Sequence, residues 1–170
     1  MRFRLRNTFW LPLCVFVCAL GPSRAVRASN SDESMPAASA AVRVQRVVDD
    51  LKNRLAIPQA VNVSIVERNP LMASVGPDSQ NAEAFQLSFD AGFLERLSDE
   101  DLEAAVAHEL GHVWIFTHFP FLQTEQLAND IAMRVVSRAS LVPVYTQVFE
   151  RTQTTGDVKK YLGDPPPSAP

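Results

Sequence analysis

Apolar residues recur at three- and four-residue steps over residues 41–57, and this spacing predicts an amphipathic helix that ends before Pro58. Alternation of apolar and polar residues then predicts two half-buried strands, over 61–65 and 85–89. A shorter strand over 71–75 is bounded by Asn-Pro and Gly-Pro pairs. The first half of the chain is therefore expected to form one helix followed by a small sheet.

Helical spacing returns in the second half of the chain. Ser98 and the three acids after it form a capping-box-like start, because a serine can cap the first turn and acids complement the helix dipole there. We expect that helix to end near Thr117, a second helix over 122–137, and a third that begins near Val142. The two halves together predict an α+β fold in one domain over residues 41–162.

The two ends of the chain differ in composition from this domain. Arginines precede an apolar run over 9–20 and then small residues, which is typical of a secretory signal peptide over residues 1–28. An uncleaved signal anchor that tethers the protein to a membrane is the alternative. Residues 29–40 and the Pro-rich tail over 163–170 are expected to be flexible. We therefore expect an exported protein, periplasmic or secreted, without a stable membrane span after cleavage.

Both cysteines, Cys14 and Cys18, lie in the predicted signal peptide. The remaining chain would then form no disulfide and offer no thiolate to a metal. The same segment holds five basic residues and no acidic one, so its removal makes a chain of formal charge −3 more acidic. This balance disfavours nucleic acid as a partner.

All three histidines lie between His108 and His118, in the predicted Ser98 helix. The pentapeptide from His108 to His112 is an HExxH motif. Residues four apart leave the same face of a helix, so both imidazoles of the motif can reach one zinc ion. Glu109 lies beside them and can act on a metal-bound water as a general base. The motif therefore predicts a zinc-dependent hydrolase.

A catalytic zinc site usually has three protein ligands, so a third must come from elsewhere. Glu125 is the first choice, because it begins the next predicted helix and Asn129 follows on the same face, able to hydrogen-bond a ligand. His118 is the competitor, since it lies six residues after His112, as in the pattern HExxHxxGxxH. Ile115 stands where that pattern has a glycine that turns the chain. The spacing favours Glu125 and leaves His118 or another carboxylate open.

The stretch LSDEDLEAAVAHELGH, which ends at His112, resembles the motif helix of the HtpX and CAAX-prenyl-peptidase family of gluzincin zinc peptidases. The resemblance covers roughly residues 61–138. It implies a zincin-like α+β fold, in which a small, mainly antiparallel sheet packs on the motif helix and on a following ligand helix. It also implies that His108, His112 and Glu125 hold zinc, with Glu109 as the catalytic base.

The chain departs from that family four residues after the ligand Glu, where the family usually has Asp and this chain has Asn129. The Glu-x-x-Ala-Asn helix is instead similar to the ligand helix of ImmA- and IrrE-type gluzincins. Asn129 is therefore expected to hydrogen-bond a zinc ligand rather than to bind the metal.

The predicted function is that of a zinc-dependent metalloendopeptidase of the cell envelope, with proteins or peptides as substrates. The strand over 85–89 is the candidate for pairing with an extended substrate, because it immediately precedes the motif helix. Four side chains are candidate donors to the developing oxyanion: Tyr145, Arg134, Arg138 and His118. The alternative is a non-catalytic zincin-fold module that binds envelope proteins.

Overall fold

The structure, a computed structural model, describes residues 34–118, 120–153 and 156–163 of the 170-residue chain. The predicted signal peptide, residues 29–33 and residues 164–170 of the predicted tail lie outside the described residues. Within the part that is described, no helix combines the length and the apolar character needed to cross a membrane.

Helices and a small sheet make up the described part of the chain, which confirms the predicted α+β class. In chain order the elements are α1 (Ser34–Arg54), β1 (Ala60–Val66), β2 (Ala73–Pro77), β3 (Ala84–Asp90), α2 (Ala91–Leu94), α3 (Asp99–Thr117), α4 (Glu125–Ala132), α5 (Arg138–Thr152) and α6 (Val158–Leu162). The two shortest helices, α2 and α6, were not predicted by the apolar pattern.

Several helix boundaries differ from the prediction, and the last long helix begins at Arg138 rather than near Val142. α1 begins at Ser34, so residues 34–40 of the segment predicted to be flexible are helical, because this stretch is rich in alanine, the strongest helix former. The single helix predicted over 122–137 is wrong. α4 ends at Ala132, and α5 begins after Ser137, whose side chain caps its first turn.

The sheet is mixed, with the strand order β1-β3-β2. β1 runs parallel to β3, with Val63 opposite Leu87, whereas β2 runs antiparallel, with Val75 opposite Leu87. The prediction of a mainly antiparallel sheet is therefore wrong. β2 and β3 form an antiparallel hairpin, and β1 pairs with the other side of β3 in the parallel direction. The prediction that residues 85–89 form the substrate-binding edge is also wrong, since β3 is paired on both sides.

The buried core lies between the sheet and helices α1 and α3. β3 supplies Phe85, Leu87 and Phe89, which are at most 6% exposed, as their alternation predicted. α1 supplies its predicted apolar stripe, of which the fully buried members are Val44, Val48 and Leu51. α3 packs against α1, α4, α5 and β2. The helix that carries HExxH is therefore the central element of the fold.

A buried carboxylate joins the end of β3 to α5. Asp90 is 2% exposed and accepts hydrogen bonds from the backbone N–H groups of Asn69 (3.1 Å) and Phe93 (2.8 Å). It also pairs with the Arg151 guanidinium at 2.8 Å. Burial by itself raises the pKa of this carboxyl, but the hydrogen bonds and the charge of Arg151 outweigh it and hold the pKa below its usual value.

We expect Asp90→Ala to lower the free energy of unfolding by about 3 kcal/mol, because it removes a buried partner from both backbone donors and from Arg151. The contribution of Asp90 is fully present above the unfolded carboxyl pKa, near 4, and is lost as the pH falls through the lower folded pKa. Urea unfolding of the variant and of Asp49→Ala, an exposed aspartate on α1, measures the difference. Equal stability of the two variants would contradict the expectation.

Candidate metal centre

Three predicted ligands meet between α3 and α4. His108 and His112 lie one turn apart on α3, and Glu125 begins α4 opposite them. The Glu125 carboxylate oxygens lie 3.3 Å from Nε2 of His108 and 3.5 Å from Nε2 of His112. Tetrahedral ligands at 2.0–2.1 Å from zinc would be about 3.3 Å apart, so these separations suit zinc. One ligand atom from each residue lies within 4.8 Å of the others, and the three could hold a metal ion.

Close contact between the two helix backbones brings Glu125 within reach. The Thr124 side chain accepts a hydrogen bond from the backbone N–H of Leu127 (3.1 Å), which fixes the start of α4 at Glu125. Gly111 faces Ala128, and a Cβ atom at Gly111 would lie 2.3 Å from the Ala128 carbonyl oxygen. The glycine inside the motif is therefore required for the approach of α4.

A side-chain amide orients the imidazole of His112. Gln123 donates from Nε2 to the backbone carbonyl of His112 (3.0 Å), so its Oε1 faces Nδ1 of the same residue, also at 3.0 Å. An amide oxygen can only accept, so Nδ1 must carry the proton and Nε2 presents its lone pair to a metal. Gln123 lies in the loop before α4, and nothing in the sequence pattern pointed to it.

Asn129 orients the imidazole of His108 in the same way. It is fully buried, and its Oδ1 lies 2.8 Å from Nδ1 of His108. The structure thus places Asn129 beside a candidate ligand rather than among the three, as its position four residues after Glu125 predicted. Such partners fix the ring orientation and the tautomer of metal-binding histidines.

Glu109 lies beside the candidate ligands but is not one of them. It is 7% exposed, and the backbone N–H of Val75 in β2 is close enough to its carboxylate to lower the pKa. Burial raises the pKa of Glu109, while the nearby His108 and His112 act in the opposite direction. A carboxyl with a raised pKa at this position suits a group that accepts and returns a proton.

His118, the competing third ligand, is not with the other histidines. Its Nδ1 lies 2.7 Å from the Trp114 carbonyl oxygen, and its ring stacks on Trp114 at 3.8 Å between centroids. The Arg134 guanidinium lies over the ring of the same tryptophan, 4.8 Å from its centroid. Arg138 is hydrogen-bonded to the end of α6. Of the four candidate oxyanion donors, Tyr145 lines the cleft around the metal centre.

A cleft of about 570 Å³ opens over the three candidate ligands. The free edge of β2 forms one wall, and α3 and α5 contribute the others. The acidic residues and histidines that line it all belong to the metal centre: His108, Glu109, His112 and Glu125. Among the residues that the structure describes, the lining includes no lysine, arginine or aspartate. Beyond the metal centre the cleft is therefore uncharged and largely apolar.

A scan against protein-family models and a search of curated proteins each found no match. A search of solved structures matched the crystal structure of the metallopeptidase zymogen of Pyrococcus abyssi abylysin, with a TM-score of 0.47 and 16% sequence identity. The match covers 66% of this chain and 97% of that chain. The resemblance to HtpX and CAAX-prenyl peptidases stays a prediction from the sequence.

Proposed function

We propose that the chain is an exported zinc metallopeptidase that hydrolyses internal peptide bonds of protein or peptide substrates. The convergence of two imidazole Nε2 atoms and the Glu125 carboxylate at one point of an open cleft carries the proposal. Two histidines and one glutamate form a ligand set that zinc peptidases use. Export, with removal of residues 1–28, is part of the proposal.

Each residue of the centre has a separate task in this proposal. His108, His112 and Glu125 would hold the ion. Bound zinc would supply the Lewis acidity that activates a water molecule and polarises the scissile carbonyl. Glu109 would accept the proton of that water and donate it to the leaving amine.

The free edge of β2 is the proposed docking edge for the substrate backbone. β2 pairs with β3 on one side, and its other side lines the cleft. The backbone N–H of Val75, in the middle of β2, lowers the pKa of Glu109, so this part of the strand passes close to the proposed catalytic base. An extended peptide that pairs with this edge would bring a backbone carbonyl to the metal centre.

The two ends of the cleft would contact substrate side chains on either side of the scissile bond. Phe116 lies at the Pro77 end of β2. The centroid of its ring is 5.5 Å from that of Phe85, and Phe85 is opposite Pro77 in the sheet. Phe149 of α5 lines the cleft as well. Since the described residues of the walls carry no charge beyond the centre, we propose that substrates have apolar residues flanking the cleaved bond.

Phe116→Ala should lower kcat/KM about tenfold for a fluorogenic peptide with large apolar residues around the cleaved bond, because a wall of the cleft is lost. Phe121→Ala is a matched control. The two side chains are similarly exposed, at 59% and 53%, but Phe121 does not line the cleft. Equal losses in both variants would argue against this orientation of the substrate.

The proposed function is tested by zinc content and by cleavage of an unfolded protein. Purified protein should bind one zinc ion per chain and cleave the substrate internally. A chelator should abolish cleavage, and added zinc should restore it. Bound zinc without any cleavage would favour the alternative, a non-catalytic module that binds envelope proteins. A protein that binds no zinc would contradict the proposed peptidase.

A further inference from the structure

The amide of Asn129 connects the metal centre to the C-terminal helix α6. Its Nδ2 donates to the backbone carbonyl of Tyr161 (2.9 Å) and to the Tyr145 hydroxyl (2.8 Å). A backbone carbonyl has no proton to give, so Nδ2 must face Tyr161 and Oδ1 must face His108. The reversed amide would bring two acceptor oxygens together in a fully buried position, at a large cost in free energy.

We infer that α6 is a positioning element of the metal centre. Its Tyr161 carbonyl sets the orientation of the Asn129 amide, which places the proton of His108 on Nδ1 and leaves Nε2 for the metal. The two amides of the centre differ in this respect, because Gln123 is oriented by the carbonyl of the ligand His112 itself. Among the residues that the structure describes, only the amide that contacts His108 is oriented by a distant element, α6. The inference rests on the metal-binding part of the proposed function and not on catalysis.

This arrangement also explains why the residue is asparagine. An aspartate could accept from His108 with either oxygen, but its second oxygen would face the Tyr161 carbonyl at about the 2.9 Å now spanned by a hydrogen bond. Two acceptors at that separation repel. The position next to α6 therefore requires a group that accepts on one side and donates on the other, and Asn129 is such a group.

α6 is held in place by contacts with α4 and α5. It has five residues, too few to be stable alone. Leu162 is buried at 5% exposure, and Arg138 donates from Nε to the Leu162 carbonyl (3.3 Å) and from Nη2 to the Gly163 carbonyl (2.7 Å). Arg138 is in contact with no candidate ligand. It therefore offers a way to loosen α6 without altering the metal centre directly.

The zinc affinity of the full chain, measured by competition with a chromophoric chelator, tests the inference. Arg138→Met should weaken zinc binding about three- to tenfold, less than the 10–100-fold typical of losing the directly bonded partner. Arg138→Lys keeps one donor and should recover part of the loss. Arg134→Met removes the same charge from a residue that contacts Trp114 instead of α6, and should bind zinc like the wild type.

Each outcome of the measurement decides the inference. If Arg138→Met retains wild-type zinc affinity while Asn129→Leu loses it, Asn129 is oriented without α6 and the inference is wrong. If Arg138→Met does not fold, Leu162→Ala, which shortens a buried anchor of α6, replaces it under the same expectation. A wild-type chain that binds no zinc overturns the proposed function and the inference together, whereas zinc binding without peptidase activity leaves the inference intact.

Discussion

Glu109→Gln should lower kcat for peptide hydrolysis by about 10²–10⁴-fold while one zinc ion stays bound, because general base catalysis contributes about that factor. Glutamine has nearly the same shape, and its amide oxygen can still accept a hydrogen bond from a neighbouring N–H group. It cannot take a proton from water. The three proposed ligands are untouched, so zinc content should not change. Steady-state kinetics and metal analysis of the same preparation measure both quantities.

Glu103→Gln is the matched control for this substitution. Glu103 lies on the same helix, but it pairs with Arg54 at 3.1 Å, away from the cleft. The Glu103→Gln variant should be as active as the wild type. Unchanged turnover in Glu109→Gln would remove Glu109 from the mechanism. A loss of zinc with the loss of turnover would instead show that Glu109 acts on the structure of the centre.

Gly111→Ala should lower the free energy of unfolding by about 3 kcal/mol and weaken zinc binding more than tenfold. The added methyl group would lie 2.3 Å from the Ala128 carbonyl oxygen, a backbone atom that no rotamer change can move. α4 must therefore shift, and Glu125 shifts with it. The clash has to outweigh the gain of about 1 kcal/mol that alanine brings to a helix interior. Urea unfolding and chelator competition measure the two effects.

Gly76→Ala is the comparison for Gly111→Ala. A Cβ atom at Gly76 meets no atom within 4 Å, so this change should leave stability and zinc affinity close to those of the wild type. A stable Gly111→Ala protein with normal zinc affinity would mean that α3 and α4 can separate without loss of the centre. That result would remove the close helix contact as the reason for the glycine.

Much of the candidate centre was predictable because its residues are close in sequence. The four-residue spacing of His108 and His112 fixes their common face, and Ser98 marks the start of their helix, as its hydrogen bond to the Asp101 N–H confirms. Glu125 and Asn129 follow the same rule one helix later. Each of these predictions needed only helix geometry.

The contacts that the sequence did not predict join residues far apart or in loops. Tyr161 reaches Asn129 across 32 residues, through a helix too short to leave a periodic pattern. The order of the strands could not be predicted either, because alternation identifies the buried face of a strand but not its neighbours. Residues 122–137 were misread as one helix because apolar spacing continues through the turn between α4 and α5, where Ser137 caps the next helix.

The free edge of β2 has a consequence for the behaviour of the protein in solution. An unpaired strand edge can accept a strand from another copy as readily as a substrate, and such pairing leads to self-association. The strand is short, and it ends at Pro77, which has no N–H to offer. These features limit that hazard. A peptide bound along β2 would cover the rest of this edge. It would then prevent self-association at high concentration as well as block the cleft.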